Sequence, residues 1–171
     1  MRFCVSASKT TNMEDIKKIV RDKYALLAHR NESSCCGPKT NCCDDKEVAT
    51  IMSEDYSSLE GYVRDADLQL GCGMPTELAR IQPGDTILDL GSGAGNDVFV
   101  ARQLTGDTGE VFGVDFTPEM VAKAQQNKQK MGYGNVHFIQ GDIEDLPIPS
   151  QSIDVAISNC VMNLVPDKQQ A

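Results

Sequence analysis

Seven cysteines and one glycine-rich turn hold the residues of this sequence best suited to chemistry. The turn reads Asp89-Leu90-Gly91-Ser92-Gly93-Ala94-Gly95. It follows an apolar run and precedes a helical one, where a ligand-binding turn belongs. Glycines there let a ligand approach the backbone closely. The dinucleotide fingerprint needs a glycine three places after its second. Counted from Gly91 and Gly93 that place is Asn96, and the third glycine is Gly95, a tighter turn. Asp115 lies about 20 residues further on, where an acid can take ribose hydroxyls. The thiols fall into two groups: Cys72 and Cys160 stand alone in Gly71-Cys72-Gly73 and Ser158-Asn159-Cys160, while Cys35-Cys36 and Cys42-Cys43 are adjacent pairs. No export signal precedes them and their number is odd, so metal, metalloid or redox chemistry reads better than a disulfide framework. Adjacent pairs lack the two-residue gap of structural zinc sites, so capture of a soft ion and inert thiols remain equal readings for them. Cys4 is read as incidental, and His29 and His137 as structural.

The elements that must position these groups are legible as patterns. Thr11-Asn12-Met13-Glu14 fits a capping box, and Ile16, Ile19, Val20, Leu26 and Leu27 follow at roughly helical spacing, with Met13 and Tyr24 on the same side. A helix is expected from about Asn12 to Ala28, read as a lid or packing element. Residues 31–45 are polar and punctuated by glycine and proline, hence a loop. Residues 48–64 are ambiguous and expected to hold a short helix. A boundary falls at Gly71-Cys72-Gly73-Met74-Pro75, dividing an N-terminal helical and cysteine-rich region, 1–70, from a second domain, 71–171. Beyond a short helix over Thr76–Arg80, strands and helices alternate. Strands are expected at Thr86–Leu90, Val111–Asp115, Val136–Gln140 and Asp154–Ser158, and helices at Asp97–Leu104 and from Thr117-Pro118-Glu119 to about Met131, stopped by Gly132. Such alternation predicts an α/β fold with a parallel sheet.

Composition excludes several classes. The net charge is −9, from Lys+Arg 16 against Asp+Glu 25, so the electrostatic footprint of a nucleic-acid binder is missing. No apolar run approaches the ~20 residues of a membrane span. With no apolar leader after Met1-Arg2-Phe3-Cys4, a cytoplasmic protein is expected.

The glycine turn resembles motif I of S-adenosylmethionine-dependent methyltransferases, which implies a Rossmann-like class I sheet. That resemblance assigns Asp89, Gly91, Ser92, Gly93, Gly95, Asp115 and Phe116 to the cofactor site. It also implies that Met120 packs on the adenine, that Asp142 of Gly141-Asp142-Ile143 accepts from the adenine amino group, and that Asn159 lies near the methionine end. Each has a plainer rival: Asp89 as a buried turn acid, Met120 as core, Asp142 as a helix cap.

The segments Gly71-Cys72-Gly73-Met74-Pro75-Thr76 and Asn159-Cys160-Val161-Met162-Asn163-Leu164-Val165-Pro166-Asp167-Lys168 resemble arsenite methyltransferases, a similarity running from about Asp67 to Asp167. It implies methyl transfer from S-adenosylmethionine to arsenite or its thiol conjugates. Cys160 would be a direct arsenic ligand, Cys72 a ligand or redox partner, and one of Cys35 and Cys36 a mobile redox partner, a role Cys42 or Cys43 could fill instead. A thiol reductant, thioredoxin or glutathione, is implied as well. Trivalent arsenic is soft and thiophilic. Its lone pair can attack the sulfonium methyl with no general base, and neighbouring thiols can return electrons by closing a disulfide. The chain stops at Ala171, directly after the fourth strand, whereas family members continue with more strands and a further arsenic-binding cysteine. A C-terminally truncated domain is therefore expected, with the remainder absent or supplied by another chain. Two rivals stand beside the arsenic reading. One is a class I methyltransferase of another small acceptor, such as a quinone or a thiol. The other is a non-catalytic thiol-rich metalloid-binding module.

Overall fold

The computed structural model describes residues 13–29 and 55–171. Helix α1 (Met13–His29) is followed by two single 3-10 turns, Tyr56–Ser58 and Arg64–Ala66, and the short α2 (Pro75–Leu78). Then come β1 (Thr86–Leu90), α3 (Asn96–Thr105), β2 (Glu110–Asp115), α4 (Pro118–Met131), β3 (Val136–Gln140) and β4 (Val155–Ser158). The expected capping residue Thr11 and the cysteines 35, 36, 42 and 43 lie outside the described residues, as does Cys4. Of the stretch 48–64, residues 48–54 lie outside the described residues; the remainder holds the 3-10 turn at Tyr56–Ser58 and the start of the one at Arg64–Ala66.

The four strands form one parallel sheet in the order β3-β2-β1-β4. Parallel neighbours cannot be joined by hairpins, so α3 and α4 serve as crossovers. The chain steps outward from β1 to β2 to β3 and then returns to the other side of β1. The order therefore reverses between β1 and β4, and open sheets of this kind bind ligands at the carboxyl ends of the strands flanking such a reversal. Ile87, Val98, Phe99, Val111, Val114 and Val136 are fully buried and fill the core. Phe99 and Phe138 meet edge to face with centroids 5.7 Å apart. Their rings explain Gly95, whose φ is +98° and where a Cβ would sit 2.6 Å from Phe138 and 2.9 Å from Phe99. Gly132, with φ +71° and its N–H on the Lys128 carbonyl, ends α4 as expected.

At the start of α4 the Thr117 side chain makes no capping bond; the Asp115 carboxylate accepts from the Thr117 N–H at 2.8 Å. One expectation changes. The α1 apolar residues do not share one buried face. Ile19 and Leu26 are 63% and 72% exposed, while Val20 and Tyr24 are partly buried and line a cleft. Helix α1 packs on α4, and Lys123 Nζ donates to the Ala28 carbonyl at 2.9 Å.

Candidate active site

One cleft opens at the strand ends where the sheet order reverses, enclosing about 1110 Å³ counted out to its mouth. Its floor is the glycine turn after β1, with Gly91, Ser92 and Gly93 lining it. Gly91 has φ +75°, and a Cβ there would lie 2.3 Å from Val161 Cγ2. Only glycine lets the turn after β1 and the segment after β4 approach this closely. Gly93 has nothing within 4 Å of the place a Cβ would take, so the turn presents an open face to the cleft.

Asp115, at the end of β2, faces the cleft with Oδ2 accepting from Gly93 N–H at 2.9 Å. Burial raises its carboxyl above the ordinary range, opposed by these backbone bonds. Phe116, Met120, Gly141, Asp142, Ile143 and Asn159 also line the cleft. Met120 is both core and wall, being fully buried from solvent. Asp89 and Gly95 do not reach the cleft. Asp89 sits buried in β1, where desolvation and the nearby Asp97 and Asp115 raise its carboxyl far above the ordinary value. Gly95 serves packing, as described. Ser92 Oγ is buried without a partner, and so is Asn96 Oδ1 on the cleft wall.

Sequence reasoning missed several groups. Lys17 of α1 donates to Asp142 Oδ2 at 2.6 Å and to Glu144, closing the cleft from the helix side. Asp142 is held below the ordinary carboxylate range by Lys17 and by the Glu144 N–H, against the effect of burial. Tyr24 lines the cleft beside Asp115, and burial raises its phenol. Tyr56, in the first 3-10 turn, is 3% exposed and reaches Asp97 Oδ1 at 2.7 Å and the Gly73 carbonyl at 2.5 Å. The single phenolic proton is shared between these two acceptors, and burial raises the Asp97 carboxyl above its ordinary value against the bonds from Tyr56 and Asn159. Nothing in the local sequence marks Tyr56, since its partners lie 17, 41 and 103 residues away.

Cys72 and Cys160, 88 residues apart in sequence, form a disulfide with Cα atoms 6.0 Å apart. Cys160 lies on the cleft wall and holds φ +57°, a left-handed conformation that costs a non-glycine residue about 1–2 kcal/mol. Strain of this kind gathers at functional sites. Asn159 joins both cysteine segments: its Oδ1 accepts from Cys72 N–H at 3.0 Å and its Nδ2 donates to the Gly73 carbonyl at 2.8 Å. Among the described residues no cluster of three metal-ligating side chains occurs. His137 stacks on Phe112 and meets Glu110 at the sheet surface, a structural role.

The charge of the cleft discriminates between ligands. Asp67, Asp97, Asp115, Asp142 and Glu144 line it against one basic side chain, Lys17, which is itself paired with acids. A pyrophosphate would meet net repulsion there. A cofactor that carries a nucleoside and a cationic sulfonium and ammonium fits, and the unpartnered Asn96 Oδ1 offers one more acceptor to a cation.

The comparisons agree with this geometry. Residues 81–171 match the family model described as a methyltransferase domain, and the chain belongs to that family. Within it, the chain is similar to the N-terminal portion of arsenite methyltransferases. It is 42% identical to the arsenite methyltransferase of Halobacterium salinarum, over 92% of this chain and 42% of that protein. The crystal structure of an arsenic(III) S-adenosylmethionine methyltransferase from Chlamydomonas reinhardtii superposes with TM-score 0.53 at 45% identity, covering 58% of this chain and 36% of that one. A more distant likeness is to a ubiquinone/menaquinone biosynthesis C-methyltransferase of Vibrio campbellii, 37% identical over 82% of this chain and 57% of that protein. The chain spans about two fifths of the length of the Halobacterium protein and of two further curated arsenite methyltransferases that it matches. No described helix is long and apolar enough to cross a membrane.

Proposed function

We propose that this chain supplies the cofactor half and two thiols of an enzyme that methylates thiol-bound trivalent arsenic from S-adenosylmethionine. The observation that carries the reading is the meeting of Cys72 and Cys160 at an acidic cleft that, among the described residues, no histidine lines. Asp115 would take the ribose hydroxyls, Met120 and Ile143 would flank the adenine, and Asp142 would accept from its amino group. Asn159 would sit at the methionine end. The cofactor supplies an electrophilic methyl on a sulfonium. Cys160 would hold arsenic, whose lone pair would form the As–C bond as the S–CH3 bond breaks and the neutral thioether, S-adenosylhomocysteine, leaves; the chain would need to align the two centres and would have no proton to remove. The transfer formally oxidises arsenic by two electrons. A thiol pair can return them, two thiolates becoming one disulfide, with Cys72 a partner in that exchange and one of Cys35 or Cys36 another. Thioredoxin or glutathione would then restore the thiols in the cytoplasm.

The test is incubation with arsenite, S-adenosylmethionine and reductant, using a form extended through the C-terminal region its relatives possess. Methylated arsenic, read by mass spectrometry and lost in Cys160→Ser, is the expected result. An extended form that binds the cofactor yet yields no methylarsenic, and methylates a quinol instead, would replace this reading with the quinone one.

A further inference from the structure

Tyr56 is almost fully buried, yet its hydroxyl faces three polar partners contributed by three distant parts of the chain. They are the Gly73 carbonyl at 2.5 Å, Asp97 Oδ1 at 2.7 Å and Asn159 Nδ2 at 3.1 Å. Asn159 Nδ2 also reaches the Gly73 carbonyl at 2.8 Å and Asp97 Oδ2 at 3.1 Å. Asn159 Oδ1 closes the ring on the Cys72 N–H at 3.0 Å. Gly73 adjoins Cys72 and Asn159 adjoins Cys160. The network thus joins the two residues that flank the thiols and fixes both to the first turn of α3 through Asp97. Gly71 makes room for it, since a Cβ there would lie 2.8 Å from Asn159 Nδ2.

From this we infer that Tyr56 and Asp97 are positioning residues that hold the Cys72 and Cys160 sulfurs within reach of each other. Neither side chain bonds to a sulfur. Asn159 Nδ2 has three acceptors within 3.1 Å, the Tyr56 hydroxyl, the Gly73 carbonyl and Asp97 Oδ2. Tyr56 is one of these and its hydroxyl also contacts the other two groups, at the Gly73 carbonyl and Asp97 Oδ1, so it ties the three into one arrangement around the amide. Buried networks fix one arrangement when every member is satisfied, and a half-satisfied network is costly. The segment after α1 would then set the spacing of two thiols carried by the sheet domain. The inference concerns the thiol pair used in the arsenic chemistry proposed above, but it is tested without arsenic, so either can fail alone.

The chain is equilibrated in glutathione buffers of graded composition. The protein dithiol gives two electrons and two protons to oxidised glutathione, which becomes two reduced molecules. The fraction of Cys72–Cys160 disulfide is read by alkylation and peptide mass spectrometry, native and in denaturant. Tyr56→Phe keeps the ring and removes one hydroxyl, while Asp97→Ala removes the shared acceptor. Each is expected to lower the native equilibrium constant for the disulfide about tenfold, the equivalent of one buried hydrogen bond, with the denatured value unchanged. Val136→Ala, in the core of β3, is the control for general destabilisation, and thermal melting establishes that every variant compared is folded. Folded Tyr56→Phe and Asp97→Ala chains with native constants within twofold of the parent would overturn the inference. So would an equal loss in Val136→Ala.

Discussion

Replacing Gly91 by alanine tests whether the turn after β1 and the segment after β4 are built as one unit. At φ +75° the alanine pays the left-handed penalty, about 1–2 kcal/mol. Its Cβ would also lie 2.3 Å from Val161 Cγ2 and 2.8 Å from Cγ1, so Val161 must move. Overpacking of that kind costs about 1–3 kcal/mol. The sum, about 2–5 kcal/mol, is a large part of the 5–15 kcal/mol that holds an ordinary domain together. The two contributions can be separated. Val161→Ala removes both offending methyls and leaves φ untouched, so the double variant should regain about 1–3 kcal/mol as a coupling energy. Urea unfolding with linear extrapolation measures all four corners of the cycle. Because Val161 adjoins Cys160, the single variant should also hold less Cys72–Cys160 disulfide in a given glutathione buffer, and the double variant more. A Gly91→Ala chain within about 0.5 kcal/mol of the parent, or a double variant no more stable than the single one, would refute the reasoning.

Three further outcomes are expected. Asp89 is buried with its carboxyl raised far above the ordinary 3.8, so the folded chain binds more protons than the unfolded one from that value up to the raised one. Stability contributed there is present below the ordinary value and is lost as pH rises through the raised one. Asp89→Asn should therefore flatten the decline of the melting temperature from mildly acidic to neutral pH, and an unchanged slope would dismiss the idea. Asp97→Asn should lower the Cys72–Cys160 disulfide equilibrium as Asp97→Ala does, because the two carboxyl oxygens accept from Tyr56 and Asn159 and an amide has one oxygen to offer. An unchanged equilibrium in that variant would mean that the second acceptor oxygen does not hold the network. Lys17→Glu sets a third carboxylate against Asp142 and Glu144, so amide exchange across α1 should quicken and S-adenosylmethionine affinity fall about tenfold, the scale of one charged hydrogen bond. Unaltered protection of α1 would show that the helix is held by other contacts.

The sheet was open to sequence reading because short runs of strand-forming residues, such as Ile87-Leu88 and Val111-Phe112, alternate with helical patterns between turn residues. Thr86–Leu90 and Val136–Gln140 fall on the residues expected of them; β2, β4 and α4 differ by one residue at one end, α3 by one at each end, and α2, expected over Thr76–Arg80, runs over Pro75–Leu78. The glycine turn that floors the cleft was equally visible, its glycines being close in sequence. What periodicity could not divide is α1. Ile16, Ile19 and Leu26 read as part of the same apolar set as Val20 and Tyr24, yet the structure turns the latter to the cleft and leaves the former exposed. A helix that shields a polar cleft has no wide core face to advertise. Lys17 was invisible for a related reason, since a lysine on an amphipathic helix looks like any solvated charge until Asp142 and Glu144 are brought beneath it across 125 and 127 residues.

The thiols show why motif and fold had to be combined. Spacing says nothing about Cys72 and Cys160, which are 88 residues apart and sit in unrelated local patterns. The sheet order places one of them. β4 returns to the free side of β1, so whatever follows it must emerge beside the glycine turn. The chain before β1 enters the sheet at the opposite, amino end, so topology does not by itself bring Cys72 to the reversal. Residues 71–73 are held there by Asn159, which accepts from the Cys72 N–H and donates to the Gly73 carbonyl, and by the Tyr56 hydroxyl on the same carbonyl. The sheet order thus places Cys160, and the buried contacts of Asn159 and Tyr56 bring Cys72 to it. This division predicts a hierarchy of damage. Disturbing Tyr56 should change how readily the sulfurs pair without unfolding the sheet, whereas disturbing Gly91 should cost both the pairing and the fold.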